Sequence, residues 1–585
     1  MKHQNCAKII PVTLFLLVFI CTFFLSACGV KDKESAQTYR EKAELLKEQA
    51  LAEWVRTELG ISPAGTAGNA VFISVCDTTR RATVFTGTGQ TVDEAWENAS
   101  KKAEKRVGKG NLVPVWVKAD VVYLSETITA QELNNSLKYS REEFFRYGVA
   151  FDPEWENAFL EAELNGTKSF DYENGMINLT YLNRYIEKND GKQISAPPEK
   201  YTIFQSIGWL CDQDNTIYQL SFNGRMYGCR DVETVDDAYA KEMIINASGF
   251  LTDQVKEDGS FIYGIYPRFD NEIDNYNIVR HASSIWSLIC RYRIAPDPEL
   301  AETIRRTIDY MLTQVIYDDD GNAFLYEKKS DEIKLGGCGV AVVALTEYMD
   351  AFDSNEYSDV CTALGRGILT LLDQKTGEYH HVLNGDFSEK EKFRTVYYDG
   401  EATFALCRLY GLTKDKEWLL AAQSAVDHFI RADYTQYKDH WVAYSMNEIT
   451  KYIKDDTDYY AFALKNAQVN LEKIYERDTT YHTYLELLMA TFQIYDRIIQ
   501  SGISINGFDL EMLLKTIYAR ADYMRTGYFY PEYAMYMQNP QRILNTFMVR
   551  HDGYRVRIDD VQHNIGGYYL YYTNYDKLVK YGMLK

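Results

Sequence analysis

The chain has nine histidines in 585 residues. Three of them sit among arginines, carboxylates or tyrosines at the head of an apolar helical run. Arg280-His281 opens "RHASSIWSLICRY", and Tyr481-His482 opens "YHTYLELLMATFQIYD", with Glu486 one turn further on. Arg557, Asp559, Asp560 and Gln562 crowd His563 ahead of "NIGGYYLYY". A fourth start, "YYDGEATFALCRLYG", carries Tyr397, Tyr398, Asp399 and Glu401, and the loop "GSFIYGIYPRFDNEIDNYN" supplies Tyr266, Arg268 and Tyr276. Two carboxyl groups flanking a glycosidic bond hydrolyse it when one is protonated and the other acts as base or nucleophile. Histidine and tyrosine beside a neutralising arginine suit proton abstraction next to a carboxylate. The candidate catalytic residues are therefore His281, Asp399, Glu401, His482 and His563. The candidate substrate-binding residues are Tyr266, Arg268, Tyr276, Arg280, Tyr397, Tyr398, Arg557 and Gln562.

Each has a structural alternative. Asp399 can serve as a helix N-cap, with Glu401 favoured by the helix dipole. His281 can be a core histidine bonded to a carbonyl. His482 and Glu486, and likewise Asp559 and His563, are i,i+4 neighbours on one helix face. That spacing can hold a divalent metal but is common by chance, so no metal and no cofactor is assigned. Arg280 sits least easily as packing, because a buried guanidinium needs an anionic partner; Asp399, Asp559 or a substrate carboxylate can supply it.

These residues fall at corresponding places in a loose repeat. Helix pairs recur over residues 241–585, and one helix of each pair starts with small or polar residues. The starts are at 280, 335 ("LGGCGVAVVALTEY"), 397, 481 and 561, with a sixth near "HWVAYSMNEITKYIKD" at 440. Their partners, such as "PELAETIRRTIDYMLTQVI" and "KEWLLAAQSAVDHFIRADY", are amphipathic. One hairpin cannot bury its own apolar face, so the pairs must stack. Six closing into a ring form an (α/α)6 toroid with the small-residue helices inside, which brings the helix starts to one rim. In this the region resembles the α/α-toroid proteins: six-hairpin glycosidases, glucuronyl epimerases, N-acylglucosamine-type epimerases and terpenoid-cyclase-like toroids. The resemblance is architectural. It implies a cleft at one rim that acts on a glycan.

Upstream the texture differs. "AVFISVCDTT", "RATVFTGTG" and "LVPVWVKADVVYL" read as strands and "TVDEAWENASKKAEKRVG" as an amphipathic helix. "YTIFQSIGWLC" and "TIYQLSF" add a strand pair, which makes residues 61–240 an α+β domain. This order resembles AMMECR1-like domains in pattern, without a motif that carries a site. Residues 28–60 are rich in Ala, Glu and Lys and read as a helical linker.

The N-terminus has Lys2, His3 and Lys8 ahead of an apolar stretch over 9–24, which is short for a membrane span. It ends in Leu25-Ser26-Ala27-Cys28, which resembles a bacterial lipobox. That implies a signal peptide over 1–27, cleavage before Cys28, lipid on its thiol and a body held on the extracytoplasmic face of the cell membrane. Seven cysteines then remain, an odd number, and Cys211 and Cys229 flank a hairpin where pairing is open. A net charge of −21 argues against a nucleic-acid partner, which needs a basic face. The 47 tyrosines offer flat apolar area with a polar edge, suited to sugars or to half-buried helix positions. The sequence thus describes a multidomain chain, an α+β domain followed by an all-α (α/α)6 toroid, acting on a glycan. Hydrolysis is preferred; a polysaccharide lyase, an epimerase, or a non-catalytic glycan-binding or envelope-assembly lipoprotein are the alternatives.

Overall fold

The computed structural model describes residues 33–50 and 69–584, apart from 111, 141–143 and 190. The signal segment and Cys28 lie outside the described residues. No helix among the described residues is long and apolar enough to cross a membrane. The chain divides into two compact units, residues 1–231 with 530–542, and residues 232–529 with 543–585.

The first unit is built on an antiparallel sheet. Its strands are β1 (Asn69–Cys76), β2 (Thr83–Gly89), β3 (Trp116–Thr129), β4 (Gly148–Ala150), β5 (Ala158–Phe159), β6 (Lys200–Cys211) and β7 (Ile217–Gln219). The order is β2-β1-β3-β6-β4-β5, with β7 also on β6. The long β3–β6 pair runs from Val117↔Cys211 to Thr129↔Lys200. Residues 33–50 form helix α1, and α2 (Val92–Val107) is capped by Thr91, whose side chain accepts the Glu94 N–H. Gly87 lets α2 lie directly on β2, since a Cβ there would meet the Ala95 carbonyl at 2.2 Å. Residues 28–60 were expected to be a linker, yet α1 is part of the core. Tyr39, Leu46 and Ala50 pack with Trp96, Val71 and Trp209, so its apolar stripe has a partner that composition alone does not reveal. Cys211 is a buried free thiol, as are Cys76, Cys290, Cys338, Cys361 and Cys407, so the Cys211–Cys229 bridge is not made.

Segment 530–542 belongs to this unit although the surrounding sequence belongs to the other. Ala82 N–H donates to the Met535 carbonyl at 2.7 Å, Gln541 N–H to that of Thr78 at 2.9 Å, and Ser74 and Tyr536 share a hydroxyl hydrogen bond of 2.8 Å. Where the segment departs, Phe529 N–H donates to Thr546 and Asn545 N–H to Phe529, which closes the second unit behind it. A chain of residues 238–585 should therefore aggregate, because the segment's buried tyrosines and methionines would lose their cover. Replacing 530–542 by a short Gly/Ser linker should restore a soluble helical fold, read by size-exclusion chromatography and circular dichroism.

The second unit is the toroid. Its inner helices are α7 (Ile278–Ile294), α9 (Leu335–Ala351), α11 (Tyr397–Thr413), α13 (His440–Ile449), α15 (Thr483–Ser501) and α17 (Ile558–Tyr581). Each packs on the next, and α17 packs back on α7, closing the ring. The outer helices are α6 (Asp237–Asp253), α8 (Pro298–Leu312), α10 (Ser358–Thr370), α12 (Lys416–Arg431), α14 (Thr457–Gln468) and α16 (Leu510–Tyr523). The first unit also holds α3 (Ala130–Tyr139), α4 (Glu161–Gly166) and α5 (Leu179–Lys188). Helix α8 shows the outer pattern, burying Leu300, Ile304, Ile308 and Met311 along one stripe. Inner helices are buried nearly all round and need small residues where they cross. A Cβ on Gly339 of α9 would stand 2.8 Å from the Glu401 backbone of α11.

Candidate active site

The N-terminal ends of the inner helices surround a cavity of about 610 Å³. Seven of the residues expected from sequence reach its wall: Arg280, Tyr397, Tyr398, Glu401, His482, Arg557 and His563. Ring order sets Glu401, on the third inner helix, across from His563 on the sixth, with His482 on the fifth.

Glu401 is buried, and its Oε2 has no hydrogen-bond partner among the described residues. It fits because position 336 is glycine; a Cβ there would fall 1.9 Å from that oxygen. Burial, then the nearby Asp439, hold its carboxyl well above the usual carboxylate range, which favours the protonated form. On the far wall the His482 ring lies parallel to that of Tyr481 and stacks on His563, whose centroid is 5.0 Å away. Burial, with His563 beside it, keeps His482 well below the usual histidine pKa and therefore neutral. His563 behaves oppositely. Its Nδ1 lies 2.7 Å from Glu486 Oε2, and that carboxylate outweighs burial to raise the imidazole pKa. The Tyr444 hydroxyl holds the other Glu486 oxygen at 2.9 Å.

Arg280 donates its Nε to Asp559 at 2.8 Å and its Nη1 to the Tyr263 hydroxyl. Arg557 grips both oxygens of Asp559, with Nη2 at 2.7 Å from Oδ2. The two guanidinium groups overcome burial and hold Asp559 ionised, while burial and Asp559 itself push the adjacent Asp560 up. Asp559 is thus the anion that Arg280 required, and its oxygens are fully engaged. Arg280 Nη2 meets no protein acceptor among the described residues, and a third of the side chain is open.

Six expected residues are not on the cavity wall. His281 is fully buried beneath the rim. The Tyr276 hydroxyl lies 2.7 Å from its Nδ1 and the Thr307 carbonyl 2.8 Å from its Nε2. The carbonyl can only accept, so Nε2 carries the hydrogen and the ring is held neutral, its pKa pulled by burial down to about 4. His281 and Tyr276 are therefore structural. Asp399 lies two residues from Glu401, and i,i+2 side chains do not share a helix face. It accepts from His381 Nε2 at 2.8 Å and from the Tyr434 hydroxyl at 2.9 Å. Gln562 points the other way along α17. Tyr266 is exposed on strand Gly264–Tyr266, and Arg268 is buried over the Tyr554 ring.

His281→Ala should lower stability by about 1–3 kcal/mol, the cost of leaving two buried partners unmet. In the parent, the unfolded chain takes up a proton near the ordinary histidine pKa of about 6.5, while the folded chain resists until about 4. Stability should therefore fall with acidification across that window, and the variant should lack this part of the slope. Urea titrations at several pH values measure both.

Sequence reasoning missed His440, the first residue of α13. Both its ring nitrogens are buried without a hydrogen bond among the described residues, Nδ1 3.5 Å from Asp439 Oδ1 and Nε2 3.8 Å from Glu486 Oε2, and its ring meets that of His563 edge-on at 4.9 Å. The signal was present, since His440 follows the N-cap Asp439 at the start of the fourth inner helix. His440, Glu486 and His563 each bring a donor atom within 4.8 Å of the others, the donor set of a small divalent cation. The 2.7 Å Glu486–His563 contact is already a satisfied hydrogen bond, and only His440 is left wanting a partner.

No family model matches this chain, and no curated protein matches it by sequence. Among solved structures, the chain is similar to the cellobiose 2-epimerase of Bacillus thermoamylovorans B4167. Identity is 13%, with 58% of this chain and 100% of that one covered at a TM-score of 0.46. A D-mannose isomerase follows at 10% identity, 58% and 98% coverage and a TM-score of 0.45. A GH76 α-mannanase of Bacteroides thetaiotaomicron stands at 12%, 59% and 97%, with a TM-score of 0.43. The toroid itself is established by the closed ring of helix contacts described above.

Proposed function

We propose that the toroid is a carbohydrate-directed enzyme that moves a proton at a sugar carbon, in the manner of an epimerase, with His482 and Glu401 as the acid–base pair. The observation that carries this reading is that both line one cavity, Glu401 on the third inner helix and His482 at the head of the fifth. An imidazole on one side takes a proton from a carbon next to a carbonyl, and a carboxyl on the other returns one to the opposite face. Arg280 Nη2 stands free to hold the carbonyl oxygen as it gains charge. The Glu486–His563 pair sets beside the base a second imidazole whose pKa that carboxylate raises against burial. Pairs of groups whose surroundings push their pKa values apart are the usual mark of such roles.

Hydrolysis is less well served. Its two carboxylates were to be Asp399 and Glu401, which do not share a face. Of the two other acids on the wall, Asp559 has both oxygens held by guanidinium groups and Asp552 is paired with Arg555. Each arginine of the cavity is already paired, Arg280 and Arg557 with Asp559 and Arg555 with Asp552 and Asp560, which favours a neutral sugar over a uronate.

The test is incubation of neutral reducing mono- and oligosaccharides with the protein in D2O. Epimerisation puts deuterium on the carbon next to the carbonyl and yields a new sugar, both visible by NMR. An unsaturated product would indicate a lyase, new reducing ends a hydrolase, and saturable binding without change a glycan-binding protein. Turnover should survive chelators; its loss on chelation and return with a divalent ion would reassign His440, Glu486 and His563 as ligands. The same proposal places the enzyme on the extracytoplasmic face of the membrane through lipid on Cys28. Cys28→Ala should leave it unlipidated and in the soluble fraction, and an anchored variant would overturn that part.

A further inference from the structure

The inner ring is hollow at both ends. Below the candidate active site, further along the same helices, lies a second cavity of about 240 Å³. Between them lies an aromatic layer. The Trp286 and Trp441 ring centroids are 5.7 Å apart, and Phe404 stacks on Tyr444 at 5.5 Å. Trp441 faces the upper cavity, whereas Trp286, Phe404 and Tyr444 face the lower one. We infer that the lower cavity is a separate binding site for a neutral saccharide unit.

Three observations carry this. The first is Gln562. It is completely buried beside the cavity, and neither its Oε1 nor its Nε2 has a hydrogen-bond partner among the described residues. An amide with both ends unmet in the core is costly, and a ligand offering a donor and an acceptor side by side, as neighbouring sugar hydroxyls do, would satisfy it. The second is charge. Arg293, Arg408 and Lys451 line the space against Glu347, Asp350 and Glu448, three cations to three carboxylates. They are already paired, Arg293 to Glu347 at 2.6 Å, Arg408 to Glu347 at 3.0 Å and Lys451 to Glu448 at 2.5 Å. A charged ligand would break these pairs; a neutral one leaves them intact. The third is the mix of aromatic faces with further amides, Asn447 and Gln493, which gives apolar area for a sugar ring and fixed polar groups for its edge.

The site lies away from the catalytic pair, so its test is separable from that of the proposed reaction. The full chain is titrated calorimetrically with D-glucose, D-mannose and D-galactose. The parent, Glu401→Gln, Gln562→Leu and Leu570→Trp are compared; the last narrows the cavity from a half-buried position and leaves the amide in place. We expect one neutral hexose to bind the parent and Glu401→Gln alike, and both lower-cavity variants to weaken that event roughly tenfold or more. Thermal unfolding of Leu570→Trp should match the parent, so that a loss of binding there is not a loss of fold. The inference is overturned if no neutral hexose binds outside the upper cavity, if binding is unchanged by both lower-cavity variants, or if a uronate binds better than its neutral counterpart. Failure of the proposed reaction would show instead as absent deuterium incorporation, whatever the titration gives.

Discussion

His482→Ala and Glu401→Gln are each expected to lower turnover by about 10²–10⁴-fold, the usual cost of losing one general acid or base. Both side chains reach the cavity, neither has a hydrogen bond holding other structure in place, and glutamine reproduces the shape of the glutamic acid. Melting temperature should therefore change little, and substrate affinity should persist in Glu401→Gln. The pH profile adds a second check. The base must be neutral, and burial with His563 depresses the His482 pKa, so activity should fall only on the acid side as that ring gains a proton. The acid must be protonated, and burial with Asp439 raises Glu401, so activity should fall on the alkaline side as that carboxyl ionises. Between the two lies a plateau that includes neutral pH. Glu401→Gln should erase the alkaline limb along with most of the rate. Near-parental turnover in either variant would remove that residue from the mechanism.

The second large effect concerns the first unit. Arg230 grips Glu532 with two hydrogen bonds, Nε to Oε1 at 2.9 Å and Nη2 to Oε2 at 2.7 Å. The Glu532 side chain is wholly buried, and the guanidinium lies between the rings of Tyr218, 3.8 Å away, and Tyr530, 4.4 Å away. Removing one member of such a pair strands a charge in the core. Arg230→Ala should therefore cost about 3–5 kcal/mol in the unfolding of this unit, followed by urea titration. The double variant Arg230→Met with Glu532→Leu should recover most of that loss, because two apolar side chains of similar volume need no solvation. A single-variant loss below about 1 kcal/mol, the range of exposed ion pairs, would mean that segment 530–542 is held by its backbone hydrogen bonds, the Ser74–Tyr536 bond and its apolar packing instead.

The opening of each inner helix was legible because burial leaves a chemical trace. A helix enclosed on all sides can be neither amphipathic nor bulky at its crossings, so "LGGCGVAVVAL" and "YYDGEATFAL" differ visibly from their amphipathic partners. Six starts read from composition lie within three residues of the observed helices, and the long strands of the first unit follow their apolar runs, buried on both faces for most of their length. The candidate site was legible in part for the same reason, as titratable groups at the head of a buried helix stand out. His440 was overlooked because its helix was noticed only as a possible sixth start.

What the sequence determined by itself was the order of elements, the ring of six pairs and the set of polar residues at one rim. Those follow from local hydrophobic pattern, which every residue carries with it. Which way each rim residue turns was decided by the tertiary structure. Asp399 and Glu401 are two positions apart on one helix, and the helical twist sends one toward His381 and the other into the cavity. His281 and Arg280 are adjacent, yet one is sealed against Thr307 while the other reaches Asp559, 279 residues away. Helix α1 and segment 530–542 are the same case on a larger scale. Their apolar faces were written in the sequence, but their partners lie far along the chain, and only folding brings them together.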